Sequence, residues 1–236
     1  MKANFHRTTL ILVVGLFLLQ GCASTQQRRD VVKTGFLSAS EQSLLTEGKG
    51  AHEALLRYVN PDVDWRSYNK VMLDSVTVWK DKETKDVSPE DLQMLTDFAY
   101  NQMHEALSRD YTIVSQPGPG VMRVAFAITE AEASNPAADV VTSIIPQTRI
   151  LTGIKGYAVG GKPGFVGTAG GEAKITDAQT GKLLGIGIDR RGGTKNLRGM
   201  TNEWNDVEKA YIYWAAAMRY RLCMLRGESN CVEPED

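Results

Sequence analysis

Two runs, GEAKIT from Gly171 to Thr176 and KLLGIGIDRR from Lys182 to Arg191, flank the pentapeptide Asp177-Ala178-Gln179-Thr180-Gly181. A five-residue connection containing glycine between two such runs is a hairpin loop, so this stretch commits the chain to antiparallel pairing. Further strands are expected at Val71 to Trp79, rich in β-branched residues, and at Tyr111 to Ser115 and Val121 to Thr129. The last two are separated by Pro117-Gly118-Pro119-Gly120, which can continue neither helix nor sheet. In the third run Met122, Val124, Phe126 and Ile128 share one face and Arg123 lies on the other.

Two helices are expected to cover that sheet. Ser88-Pro89-Glu90-Asp91 supplies a capping hydroxyl, a proline for the first helical position and acids for the first turn. Leu92, Leu95, Ala99, Met103, Ala106 and Leu107 then recur at helical spacing up to an end near Arg109. The second helix, from about Asn202 to Leu225, carries the stripe Val207, Ala210, Tyr211, Trp214, Met218, Leu222 and Leu225. The fold class is therefore α+β: a mostly antiparallel sheet with two amphipathic helices packed on one face. An N-terminal arm, 35–68, precedes them, with a weak helical pattern around Leu44, Leu45, Ala51, Leu55 and Leu56. The apolar stretch Ala138 to Gly161 is ambiguous between strand and helix, and the glycine-rich run Gly153 to Gly171, with the apolar segment before it, reads first as the cover of a sheet edge and otherwise as a contact with a partner or lipid.

The start of the chain gives an address. Lys2 and Arg7 precede an apolar run from Leu10 to Leu19, and Leu19-Gln20-Gly21-Cys22 closes it. The run is shorter than the ~20 apolar residues a spanning helix needs and has the parts of a secretory signal. Leucine three positions before a cysteine, with glycine just before it, resembles the lipobox of bacterial lipoproteins. That resemblance implies cleavage after residue 21 and acylation, palmitate included, of Cys22. Several acyl chains at about 0.8 kcal/mol per buried methylene make an anchor that hardly dissociates. Ala23 stands where an aspartate would resemble an inner-membrane retention signal, so the expected destination is the outer membrane, periplasmic face. The expected division is 1–21 signal peptide, 22–34 polar tether, and 35–236 one domain including its arm.

Charge and cysteine usage fit that compartment. The whole chain has 27 basic and 28 acidic residues. Loss of Lys2 and Arg7 with the signal leaves 25 against 28, a mature charge near −3. A nucleic-acid surface needs a clustered basic excess, so no nucleic-acid partner is expected. Cys223 and Cys231 are then an even pair in an oxidising space, spaced across a helix end and a glycine-containing turn, and a disulfide between them is expected.

The search for chemistry finds no catalytic motif. His6 leaves with the signal; His52 and His104 are each followed by glutamate but not in His-Glu-x-x-His, so no zinc site is expected. There is no Gly-x-Ser-x-Gly elbow. Gly156 to Lys162 resembles a phosphate-binding loop until Pro163 stands where a Ser or Thr must be. Glu130 and Glu132, like Asp62 and Asp64, alternate on one side of a strand, which permits acid-base work and equally suits solvated charge. Arg190 and Arg191, after Asp189, could bind a carboxylate or phosphate, or form a local salt-bridge corner.

The strings RYVNPDVDWRSYNKVMLDSVTVW, PGPGVMRVAFAIT, ITDAQTGKLLGIGIDRRGG and NEWNDVEKAYIYWA together resemble the uncharacterised bacterial lipoprotein family known as domain of unknown function 3313. The resemblance implies a secreted, lipid-anchored α+β domain and brings no catalytic residue with it. The expectation is a non-enzymatic lipoprotein without cofactor or metal, held to the membrane through Cys22. It would bind, scaffold or help assemble another envelope component, a protein or the cell wall. Two alternatives stand beside it: a hydrolase or transferase acting on an envelope polymer through Glu130, Glu132 or Asp189 in a cleft, and a carrier with a deep apolar cavity near Val140 to Ile154.

Overall fold

The computed structural model of the chain describes residues 25–31, 34–50, 52–79, 87–134, 167–193 and 203–235. The expected signal peptide, Cys22, and the stretch 138–166 lie outside the described residues.

The expected hairpin is the centre of the molecule. Strands β8 (Thr168–Asp177) and β9 (Leu183–Gly193) pair antiparallel, with Gly171 opposite Asp189, Ala173 opposite Gly187 and Ile175 opposite Gly185. The Asp177 carboxylate closes the loop by accepting from the backbone N–H groups of Gln179 and Thr180 and the Thr180 hydroxyl. Gly181 takes the left-handed conformation, φ 73°, that the turn requires.

Strand β7 (Val121–Glu132) flanks β8 antiparallel, and beyond it lie β4 (Lys70–Leu73), β5 (Thr77–Val78) and β6 (Thr112–Ile113). β4 and β5 pair parallel to β7, and β4 parallel to β6. The chain leaves β5 through a helix that carries it back across the sheet before β6, which is what a parallel neighbour needs. The single strand expected over 71–79 is thus two short ones, interrupted at Asp74–Val76.

That returning helix, here α2 (Pro89–Ser108), starts as its sequence dictates: the Ser88 hydroxyl accepts from the Asp91 N–H, and Pro89 occupies the first turn. The last helix, α3 (Asn205–Leu225), begins three residues later than the apolar pattern suggests. Both helices lie on one face of the sheet, as expected. Leu95, Ala99 and Met103 of α2 meet Phe126 and Ile128 of β7 and Val207, Tyr211 and Trp214 of α3 in one buried cluster. At its end α3 turns over Gly227, φ 70°, and Cys231 returns to form the expected disulfide with Cys223.

The arm departs from its pattern. It contains only a five-residue helix, α1 (Ala39–Ser43), started by a capping box between Ser38 and Glu41. Leu55 and Leu56 do not belong to a helix: Leu55 sits at a bend, β3 (Leu56–Val59) joins the free edge of β9 antiparallel, and β2 (Thr46–Glu47) pairs with β3. The backbone hydrogen bonds offered by the β9 edge outweigh a weak helical period with no cap of its own. Residues Phe36 and Leu37 then pack on the side of the sheet away from the helices, against Ile186 and Ile188. Part of the expected tether is also structure. Thr25–Gln27 form β1, paired antiparallel with Arg191–Gly193 of β9.

Candidate functional site

Strand alternation sorts the polar groups of the sheet between its two faces. Asp189 and Arg191 point to the helix face, and Arg190 to the arm face, so the two neighbouring arginines cannot hold one anion between them. A register shift at Thr129 in β7 puts Glu130 and Glu132 on the arm face as well. The two glutamates do share one side, as their spacing indicates, but the sheet separates them from Asp189.

On the arm face a buried ion-pair cluster forms. Glu130 and Arg190 are each about 5% exposed, and the carboxylate takes two hydrogen bonds from the guanidinium, at 2.5 and 2.6 Å. Arg190 also donates to Asp30 at 2.6 Å, and the Thr168 hydroxyl bonds both Glu130 and Glu132. Burial alone would pull the Arg190 pKa down; Glu130 and Asp30 outweigh it and hold the guanidinium charged. This is the salt-bridge corner that the sequence allows, extended across the sheet to the start of the chain. Arg191 is committed too: it donates to the Thr25 hydroxyl and carbonyl and lies 3.5 Å from the Tyr213 ring centre.

On the helix face there is open space. A cavity of about 140 Å³ lies between α3 and the β8–β9 hairpin. Its floor is Gly171, Ala173, Gly185 and Gly187, and its walls include Trp65, Phe126, Trp214, Ala217 and Leu222. Gly171 is needed for packing, since a Cβ there would stand 2.7 Å from the Phe126 ring. Gly187 differs: a Cβ would meet Ala54 at 3.4 Å and the Leu56 carbonyl at 3.9 Å, ordinary contacts beside the cavity.

The polar groups of this cavity gather along the segment 52–57. His52, the one described non-glycine residue with positive φ, at 60°, hydrogen-bonds through Nδ1 with the Tyr213 hydroxyl at 3.1 Å. Its carbonyl accepts from Arg221 Nε at 2.6 Å. Asp189 accepts from Trp214 Nε1 and Gln27 Nε2, both at 2.7 Å, and from the Leu55 N–H at 3.2 Å. Burial pushes the Asp189 carboxyl above the usual aspartate range, against the lowering effect of those donors. Burial also lowers the Arg221 pKa, and the like charge of Arg57 adds to that, while Glu53 opposes it. Arg57 pairs with Glu53 at 2.9 Å. Yet Arg57 Nε and Arg221 Nη2 are both buried with no hydrogen-bond partner. A buried donor left unmade costs ~1–3 kcal/mol, more when charged.

None of this cavity was named by the sequence as a site. Asp189 was singled out, but as a possible catalytic acid. Arg57 and Arg221 lie 164 positions apart and met no motif. The usable signal was Gly185-Ile186-Gly187-Ile188, which places glycines alone on the face opposite an aromatic helix. Among the described residues no three His, Cys, Asp or Glu side chains are grouped to hold a metal ion, and no helix is long and apolar enough to cross a membrane.

A family model described as "Protein of unknown function (DUF3313)" matches residues 33–218. No curated protein matches the chain. Among solved structures, it is similar to the PelC dodecamer from Paraburkholderia phytofirmans at 11% identity and TM-score 0.39, covering 69% of this chain and 94% of that one. A chain from Caulobacter crescentus CB15, provisionally described as a lipoprotein, is 11% identical at TM-score 0.33, covering 66% of this chain and 92% of that one.

Proposed function

The chain belongs to the DUF3313 family, and from that premise we propose that it is a lipoprotein of the outer membrane, facing the periplasm, that works by binding rather than by chemistry. The reading is of an accessory protein anchored at Cys22 that captures an apolar group of another envelope component. The observation that carries it is the cavity under α3, whose wall keeps two guanidinium donors unmet. An architectural core would close such a space, because interiors pack to near-crystalline density. The carboxylates considered for catalysis are instead held in hydrogen bonds: Glu130 by Arg190 and Thr168, and Asp189 by Trp214, Gln27 and Leu55.

The test has two parts. Palmitate labelling in cells should be lost in Cys22→Ser, and labelling that persisted would sink the anchor. Native mass spectrometry of the lipoprotein extracted from membranes should show a non-covalent adduct that Ala217→Phe abolishes. An adduct unchanged by filling the cavity would remove the cavity from the reading.

A second reading has one observation in its favour, since Asp189 lines the cavity with a raised pKa. A carboxylate-dependent hydrolase would use it as an acid. Turnover of a cell-wall polymer by the wild type, lost in Asp189→Asn at unchanged stability, would favour that reading over binding.

A further inference from the structure

We propose that the cavity under α3 binds a small amphiphilic anion, with its carboxylate at Arg57 and Arg221 and an apolar tail of about six carbons against the glycine floor of the hairpin. The inference rests on the binding reading above and names the class of ligand.

Size sets the tail. At about 140 Å³ the cavity is comparable with the engineered ~150 Å³ cavity that takes up benzene, so it admits an aromatic ring or about six methylenes. The walls that receive the tail are carbon: Phe126, Ala173, Ile175, Trp214, Ala217 and Leu222 all line it.

The unpartnered donors set the head. Arg57 comes from β3 and Arg221 from α3; both side chains line the cavity, and one guanidinium nitrogen of each has no hydrogen-bond partner. Guanidinium groups meet a carboxylate in a planar, two-bond geometry that an uncharged group matches less well. The two carboxylates nearby are already engaged. Glu53 bonds Arg57 at Nη2, beside Nε, and the N–H groups of Lys49 and Gly50, and Asp189 is held by Trp214, Gln27 and Leu55. Neither is hydrogen-bonded to Arg57 Nε or Arg221 Nη2. An incoming carboxylate would supply the acceptor both lack and relieve the repulsion between the two cations.

The test uses the mature protein, residues 22–236, and octanoate as the probe, followed by calorimetry and by NMR shifts. Saturable binding is expected, with shifts at Ala54, Gly187 and Ala217. Octanol, which has the tail without the charge, and inorganic phosphate, which has charge without the tail, should each bind at least tenfold more weakly. Arg57→Gln and Arg221→Gln should each weaken octanoate at least tenfold and leave octanol unchanged. Ala217→Phe and Gly187→Val, both checked for native melting, should abolish octanoate binding. Equal binding of octanol and octanoate would overturn the anion site and leave the apolar cavity reading standing. No binding of either, with filled and unfilled variants alike, would overturn both.

Discussion

The two faces of the β8–β9 hairpin carry buried charge in opposite conditions. On the arm face Arg190 is saturated by Glu130 and Asp30, across strands and back to the start of the chain. On the helix face Arg57, whose side chain is 33% exposed, and the half-buried Arg221 each keep one covered guanidinium nitrogen without a hydrogen-bond partner. The same residue type, on opposite faces of one sheet, has its acceptors built in on one side and one donor of each side chain left over on the other. The arm face has one exception of its own: the buried Glu172 uses one carboxylate oxygen on Thr34 and leaves the other without a partner.

The comparison breaks most visibly at the saturated arginine. Arg190→Ala leaves Glu130 buried without its guanidinium and should cost ~3–5 kcal/mol, whereas Arg221→Gln, which removes an unmet donor and one hydrogen bond to the His52 carbonyl, should cost less. Urea denaturation of both variants checks this, and equal losses would erase the distinction between the faces.

Next in size is the disulfide that ties the end of α3 to the tail, below the helix face. In the chain-entropy model a loop this short is worth about 2–3 kcal/mol, so Cys231→Ser should lose that much stability. Reductant should lower the melting temperature of the wild type by the same amount and leave the variant alone.

The helix face can also be divided against itself. Gly171→Ala drives a methyl into Phe126 and Trp214 and should cost ~1–3 kcal/mol, as overpacking does. Gly187→Ala places its methyl in ordinary contact with Ala54 and should be neutral or slightly stabilising. Thermal melts of the two variants separate packed floor from empty floor.

The smallest expected effect concerns Asp189. Its carboxyl lies above the ordinary value of 3.8 in the folded chain, so between that value and the raised one the fold holds more protons than the unfolded chain. Stability should therefore fall as pH rises through the folded value. Asp189→Asn should flatten the melting temperature over that range, measured from about pH 4 upward; an unchanged slope would assign the dependence to other groups.

What the sequence carried well was everything with a local cause. Ser88-Pro89 started α2 where the cap said, the glycine-containing pentapeptide made the hairpin, and Cys231 reached Cys223. The small helix α1 was legible as well, in the Ser38-x-x-Glu41 capping box, and went unread. What failed depended on partners distant in the chain. Leu56 looks helical until the edge of β9, over 120 residues later, claims it as a strand. The cavity is invisible for the same reason. It exists because glycines of the β8–β9 hairpin, an arginine of β3 and an arginine of the last helix arrive together, and no spacing within any one segment records it.

Strand β1 has a bearing on posture. Thr25 is already locked to Gly193, and Cys22 lies only three residues before it. At about 3.3–3.6 Å per residue, those three positions give a leash of roughly 10 Å. A domain whose acyl chains sit at Cys22 would then ride the bilayer like a rudder on its post: the N-terminal end of the sheet stays down at the lipid surface, and what remains free is rotation about that post rather than distance from it.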